Sequence, residues 1–235
     1  MSRAPAPAVR AMFSRIAPRY DLLNHLLSFN RDRYWRACAA RRLRGILQAP
    51  GARVLDLCCG TGDLLLALEA ERGAPVLGAD FSRPMLALAE RKIAEKHFQS
   101  LLFESDALAL PLPDRCLDLI TIAFGFRNLA SHKDALAEML RVLKPSGTAA
   151  ILEFSQPPNP LFAALYGFYS RRLLPLIGGL LSGDRAAYRY LPDSVRDFPT
   201  PDQLAAHMRQ AGFVQVTYER LSAGIVTLHL AMAPF

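Results

Sequence analysis

Between residues 53 and 155, five short apolar runs alternate with helical stretches, and few folds accommodate that order. The runs are RVLDLCC, APVLGAD, SLLFESDA, LDLITIAF and GTAAILEFS; among them lie DLLLALEAER, RPMLALAERKIAEK and HKDALAEMLRVLK. Runs this short and apolar read as strands covered on both faces, and strands separated by helices pair in parallel. The alternation breaks after Ser155. Residues 156–200 scatter prolines among apolar and aromatic residues, as in NPLFAALYGFYSRRLLPLIGGLLSGDRAAYRYLP. It resumes with TPDQLAAHMRQAGF, a helix, then VQVTYERL and IVTLHLAMA, joined by Ser222-Ala223-Gly224, short enough for an antiparallel hairpin. The pattern predicts an α/β fold with a seven-stranded, mostly parallel sheet whose last pair includes one antiparallel strand. Apolar positions at helical spacing over residues 11–48 add a helical cap at 1–50. Residues 156–200 form a helical or loop insertion after the fifth strand, and the whole of 1–235 is expected to be one domain.

The net charge of +7 is not spread evenly. Residues 1–50 hold ten arginines against two acids; the remaining 185 hold eighteen bases against nineteen acids. A basic segment suits nucleic acid, an anionic membrane surface or an anionic ligand, and equally a solvated helix face. No apolar stretch is long enough to span a bilayer, and MSRAPAPAVRAMF lacks the apolar core of a secretory signal, so the expected location is the cytoplasm. The cysteines, Cys38, Cys58, Cys59 and Cys116, have no zinc-ligand spacing and read as reduced thiols; no metal is expected.

The stretch VLDLCCGTGD, residues 54–63, hands a buried strand over to a helix through glycines. Such a turn offers backbone N–H groups and a positive helix end to a ligand, and glycine lets the ligand approach the backbone. A dinucleotide site would need a third glycine at position 65, where the chain has leucine, and Asp56 would repel a pyrophosphate. A carboxylate there suits a cationic ligand. S-adenosylmethionine carries an ammonium and a sulfonium and no phosphate, so Asp56, with a contribution from Asp63, would receive its aminoacyl end beside Gly60, Thr61 and Gly62. Asp80, at the tip of the second run, would accept both ribose hydroxyls. After the third, Asp106 would accept from the adenine amino group and the Ala107 N–H would address a ring nitrogen. Three strand ends serving one ligand agree with the rule that ligands bind at the carboxyl edge of such sheets.

DLCCGTGD, GADFSRPML, DALALPLPDRCLDLITIAFGFRN and RVLKPSGTAAILEFS together resemble a class I S-adenosylmethionine-dependent methyltransferase. More narrowly, from MFSRIAPRYDLLNHLLSF through AAYRYLPDSV to the final hairpin, the chain resembles the ubiquinone/menaquinone biosynthesis C-methyltransferases. The resemblance implies a Rossmann-like fold and S-adenosylmethionine contacts at Thr61, Asp80, Asp106 and Ala107. A further family contact, often a serine, falls at Ala123, where only the backbone can serve. The implied reaction methylates a ring carbon of a polyprenylated quinol: demethylmenaquinol, with the benzoquinol of the ubiquinone path and another small molecule as alternatives. Arg127 is then assigned to the developing phenolate and Asn128 to orienting it; the competing role is an arginine paired to an acid that pins the loop. Tyr188, Arg189 and Tyr190 would line the ring pocket, and Tyr20 and Asp21 would close over the methyl donor. His229 reads as a core histidine rather than a base. Contact of residues 159–182 with the inner face of the cell membrane, and a homodimer, stay open.

Two rivals share the fold. A nicotinamide oxidoreductase is disfavoured by the missing glycine and by the Asp106-Ala107 pair. A nucleic-acid methyltransferase would carry Asn/Asp-Pro-Pro-aromatic after the fourth strand, where this chain reads Phe-Gly-Phe-Arg-Asn, so no nucleic-acid partner is expected.

Overall fold

A computed structural model describes residues 21, 22, 24–26, 28–169, 172 and 193–235. Tyr20, Tyr188, Arg189, Tyr190 and most of the expected insertion lie outside the described residues. Seven strands form one sheet in the order β3-β2-β1-β4-β5-β7-β6, with β1 Val54–Leu57, β2 Leu77–Asp80, β3 Leu101–Glu104, β4 Leu117–Ala123, β5 Leu143–Phe154, β6 Val214–Leu221 and β7 Val226–Met232. All neighbouring pairs from β3 to β5 are parallel, and β7 runs antiparallel to both β5 and β6. That is the expected sheet. Its switch point lies between β1 and β4, where the strand order reverses and ligands of such sheets bind.

Strand alternation divides the apolar side chains between two faces. Leu55, Leu57, Ile120, Ile122, Ala149 and Ile151 pack with Leu136 and Met139 of α5 (His132–Val142) and Leu204 and Met208 of α7 (Pro201–Gln210). Val54, Leu119, Ala150 and Leu152 face the opposite way. They pack with Trp35, Ala39 and Ala40 of α1 (Arg31–Arg42), Leu47 of α2 (Arg44–Leu47) and Leu65 and Leu68 of α3 (Asp63–Arg72). The N-terminal helices therefore cover the β1–β4 switch point on one side. A further helix, α4 (Arg83–Glu95), follows β2, and α6 (Pro160–Phe168) opens the insertion with Asn159 accepting from the Phe162 N–H at 3.0 Å. Thr200 and Gln203 close a capping box on α7.

One boundary differs from expectation. The fifth helix stops at Val142, two residues short of the helical pattern, because Leu143 pairs with Leu117 and begins β5 early; the ladder then shifts register before Leu119 pairs with Thr148. At the other end of the sheet the chain reverses through Ser222, Ala223 and Gly224, all at positive φ, and Ser222 Oγ accepts from the Trp35 indole N–H at 2.8 Å.

Candidate active site

The glycine turn is held from below. Beyond Leu57 the backbone takes positive φ at Cys58 (53°), Gly60 (55°) and Gly62 (85°) before α3 begins. A Cβ at position 62 would meet the Ala89 Cβ at 3.2 Å, so glycine there also lets the turn close on α4. The nearly buried Asp80 ties two loops together: Oδ2 accepts from the Gly60 N–H and Oδ1 from the Ser82 N–H, both at 2.9 Å. Both carboxylate oxygens thereby hold main-chain N–H groups of the loops that flank the turn.

Among the described residues, Asp56 is a buried acid of the site with an unmet oxygen. It is 1% exposed; Oδ1 accepts from the Thr121 hydroxyl at 2.7 Å and Oδ2 has no partner. Burial pushes its carboxyl up to about 7, against the lowering effects of the Thr121 hydroxyl, the Arg36 charge and the Leu65 main-chain N–H, which lies near it without meeting Oδ2 at hydrogen-bond geometry. An orphaned, buried carboxylate oxygen beside a glycine turn fits an incoming ammonium, and it fits no phosphate. The thiols of Cys58 and Cys59 are raised well above their usual value by burial, then by the surrounding carboxylates, which makes them inert packing groups.

Asp63 already holds two cations. Its Oδ1 accepts from Lys92 Nζ at 2.6 Å, and its Oδ2 lies 3.8 Å from Arg36 Nη2. Burial alone would raise it, but the charges of Arg36 and Lys92 outweigh burial and hold it below the usual value. The same lysine reaches Asp21 Oδ2 at 2.6 Å and Thr61 Oγ1 at 3.2 Å, and the Thr61 hydroxyl donates to Asp21 Oδ1 at 2.5 Å. Asp21 thus sits on the glycine turn. His25, Asp32 and Asp63 bring ligand atoms within 4.8 Å of one another, the spacing of a cation site. Arg36 is the cation next to them, with Nη1 2.5 Å from Asp32 Oδ2.

At the third strand end Asp106 is exposed, and its Oδ1 accepts from the Leu108 N–H at 2.9 Å; Ala107 is buried beside it. Both follow β3, one strand from Asp80 on β2 and two from Asp56 on β1.

The acceptor side follows β4. Ala123 is half-buried at the strand end, and Phe124 then takes φ 58°, which turns its carbonyl toward the next turn. Gly125 packs so tightly on the first turn that a Cβ would lie 2.6 Å from the Cys58 Cβ. The Phe124 ring lies 4.7 Å from Phe154 and 6.0 Å from Trp35, forming an aromatic wall. Arg36 stands over Phe124 at 5.2 Å and Arg127 over Phe154 at 5.3 Å. Arg127 is paired to an acid, as the competing reading had it: Nη1 lies 2.8 Å from Oε1 of Glu153, a residue the sequence reading missed. Nη1 also donates to the Phe124 carbonyl, and Nε donates to Ser194 Oγ at 3.2 Å. The Asn128 amide reaches the same carbonyl at 3.5 Å. Nearby, burial raises the Tyr166 phenol to about 12, with a smaller push from Tyr169 and an opposing pull from Arg127. His229 belongs to the core: Nε2 meets the Pro201 carbonyl at 3.0 Å, and burial lowers the ring to about 4.

Comparison with known proteins bears on the family and the fold. The family model of the ubiE/COQ5 methyltransferase family matches residues 1–233. The chain is 51% identical over 224 residues to the demethylmenaquinone methyltransferase of Thermus thermophilus, covering 95% of this chain and all of that one. It is 48% identical to the ubiquinone/menaquinone biosynthesis C-methyltransferase UbiE of Syntrophotalea carbinolica, over 96% and 94% of the two chains. Among solved structures, a SAM-dependent methyltransferase from Aquifex aeolicus matches with TM-score 0.61 at 21% identity, over 83% of this chain and 89% of that one. The [4+2]-cyclase SpnF matches with TM-score 0.71 at 18%, over 100% and 98%. The last pair shows the fold alone, since one fold carries a transferase and a cyclase. The family match and the two close relatives go further: the chain belongs to the ubiE/COQ5 methyltransferase family and is an S-adenosylmethionine-dependent C-methyltransferase.

Proposed function

We propose that the chain methylates a ring carbon of demethylmenaquinol, the reduced naphthoquinol with a polyprenyl tail. The observation that carries this is the juxtaposition at one sheet rim of an orphaned carboxylate, Asp56, and an aromatic wall, Trp35–Phe124–Phe154, with Arg127 over its edge. The name of the Thermus relative supports the naphthoquinol. The benzoquinol of ubiquinone synthesis is the second reading, supported by the double name of the Syntrophotalea relative.

When bound, S-adenosylmethionine supplies an activated methyl group on a sulfonium centre. Asp56 takes its ammonium, Asp80 its ribose hydroxyls, and Asp106 with the Ala107 N–H its adenine; Gly60, Thr61 and Gly62 form the floor, and the Ala123 backbone adds a contact. A quinol carbon becomes a strong nucleophile as its neighbouring hydroxyl gives its proton to solvent; the carbon then takes the methyl as the neutral thioether leaves, and the ring hydrogen passes through solvent to the oxygen to restore the quinol. Arginine stays charged at neutral pH, so Arg127 serves that oxygen as an electrostatic partner rather than as a base. Asn128 orients the same edge, and Tyr188 and Tyr190, which lie outside the described residues, stay candidates for the ring pocket on the sequence resemblance alone. The apolar wall keeps water from the reacting carbon.

The tail has a place to go. Leu22, Leu26 and Phe29 are exposed at helical spacing, as are Leu161, Leu165 and Phe168 of α6, and Phe29 meets Tyr169 at 6.0 Å between the two stripes. Every exposed charged residue described between 21 and 50 is an arginine. Such a face suits peripheral contact with an anionic bilayer surface, each Arg adding ~1 kcal/mol of attraction. Among the described residues no helix is long and apolar enough to cross a membrane.

The test is an assay with methyl-labelled S-adenosylmethionine and both reduced acceptors, alongside calorimetric donor binding. Asp80→Ala loses donor affinity, whereas Arg127→Ala keeps it and loses turnover by ~10²–10³, the usual cost of one oxyanion donor. A fully active Arg127→Ala enzyme would overturn the role given to that guanidinium.

A further inference from the structure

Glu153 is the strangest residue in the sheet. It stands near the end of β5 in the apolar run AAILEF and is 0% exposed, in a position where a carboxylate is costly to desolvate. Three N–H groups converge on it. Oε1 accepts from Arg127 Nη1 at 2.8 Å and from the Phe154 N–H at 2.8 Å, and Oε2 accepts from the Arg127 backbone N–H at 3.1 Å. One carboxylate therefore grips both the main chain and the side chain of Arg127, closing a ring across β4 and β5.

The rest of the guanidinium is fixed with equal care. Nε donates to Ser194, Nη1 donates also to the Phe124 carbonyl, and the plane stands over Phe154. That leaves Nη2, for which the described residues supply no acceptor. Full burial bars Glu153 from touching a substrate, and its convergent donors leave it no task as a base.

We infer that Glu153 is a positioning residue for methyl transfer: it locks Arg127 on its Nη1 edge so that Nη2 meets the acceptor oxygen as its proton leaves. This rests on the reading that assigns Arg127 to that oxygen. A strand salt bridge that only stiffens the fold could be any well-packed pair; this one clamps the backbone and head group of the same arginine.

The experiment compares Glu153→Gln, Glu153→Asp, Arg127→Gln and the double variant Arg127→Gln/Glu153→Gln as full-length proteins. It reads kcat and KM for reduced demethylmenaquinone, donor Kd by calorimetry, and the pH dependence of kcat. Glu153→Gln is expected to lose kcat by ~10², to keep the donor Kd within twofold, and to move the rising limb of its pH profile upward because the oxygen no longer meets a fixed cation. Glu153→Asp recovers part of the loss. The double variant, which leaves no unpaired buried charge, is expected to be no slower than Arg127→Gln. A slow Arg127→Gln beside a Glu153→Gln enzyme with normal kcat and pH profile overturns the inference, as does a double variant whose losses multiply. An Arg127→Gln enzyme of full activity overturns instead the underlying reading of Arg127. If Glu153→Gln does not fold, the comparison of the double variant with Arg127→Gln decides.

Discussion

Asp56→Asn should make the ligand-free protein more stable at pH 8 and a poorer binder of its donor. The wild-type carboxyl is raised by burial from 3.8 to about 7. A carboxyl raised on folding binds more protons in the native than in the unfolded state between those values, so its contribution to stability is present at low pH and is lost as pH rises through about 7. About three pH units at ~1.4 kcal/mol each make that loss ~4 kcal/mol. Asparagine is neutral throughout and keeps an acceptor for the Thr121 hydroxyl. Its amide N–H groups, however, replace an oxygen that already lacks a partner, which costs ~1–3 kcal/mol. The net expectation is a gain of ~1–3 kcal/mol at pH 8, and no gain or a small loss at pH 5, where wild-type Asp56 is already protonated. Donor binding moves the other way. Removing a charged hydrogen-bond partner of the ammonium costs ~1.5–3 kcal/mol, roughly 10–100-fold in affinity, and wild-type affinity itself falls about tenfold per pH unit below about 7 as Asp56 must release its proton. Thermal unfolding without ligand at both pH values and calorimetric titration with S-adenosylmethionine measure each part. A variant less stable at pH 8 would refute the burial argument. A variant with unchanged donor affinity would refute the assignment of the ammonium to Asp56.

Two further outcomes follow from the packing. Gly125→Ala places a Cβ 2.6 Å from the Cys58 Cβ and should cost ~1–3 kcal/mol in urea unfolding; Cys58→Gly, which removes that atom and suits a φ of 53°, should restore most of it. If the double variant is no better than Gly125→Ala, the clash is not the cause. His229 is lowered by burial to about 4, so its contribution is lost as pH falls from 6.5 toward 4, up to ~3 kcal/mol. His229→Gln, which can still donate to the Pro201 carbonyl, should flatten that acid limb and leave kcat unchanged, whereas a fall in kcat would return His229 to the list of bases.

The sheet was legible because its information is local: period, run length and turn residues all lie within a dozen positions of one another. Asp56 and Asp80 were legible for the same reason, each ending an apolar run beside a turn. The partners of Asp63 were not legible because they are distant. Lys92 lies 29 residues on, in a helix that looks like an ordinary charged surface, and Arg36 comes from the N-terminal cap. Glu153 was overlooked although a signal was present. An acid in the middle of AILEFS is rarely buried without a partner, and the nearest cation able to reach it across a parallel neighbour is the arginine that follows β4. Asn128 and Arg127 could be placed at the rim from sequence, but which N–H groups were already spent could not.

Several departures from local preference gather where β1 and β4 end. Cys58 and Phe124, neither of them glycine, hold positive φ where β1 and β4 end, next to each other in the sheet. Asp56, Asp80, Arg127 and Glu153, all buried, cluster around the same two strand ends. Each such feature costs stability in isolation, through backbone strain or through desolvation. The remainder of the sheet, with its apolar strands and the helices packed on them, supplies the surplus that supports them. Asp56 and His229 show how the surplus is hidden. Between about pH 4 and 7 one loses stability as pH rises and the other gains it, so the wild-type curve is flatter than either group alone would make it. A flat pH–stability profile for the wild-type protein, split into two opposed slopes by Asp56→Asn and His229→Gln, is therefore the signature that separates a carboxylate kept for a ligand from a histidine kept for packing.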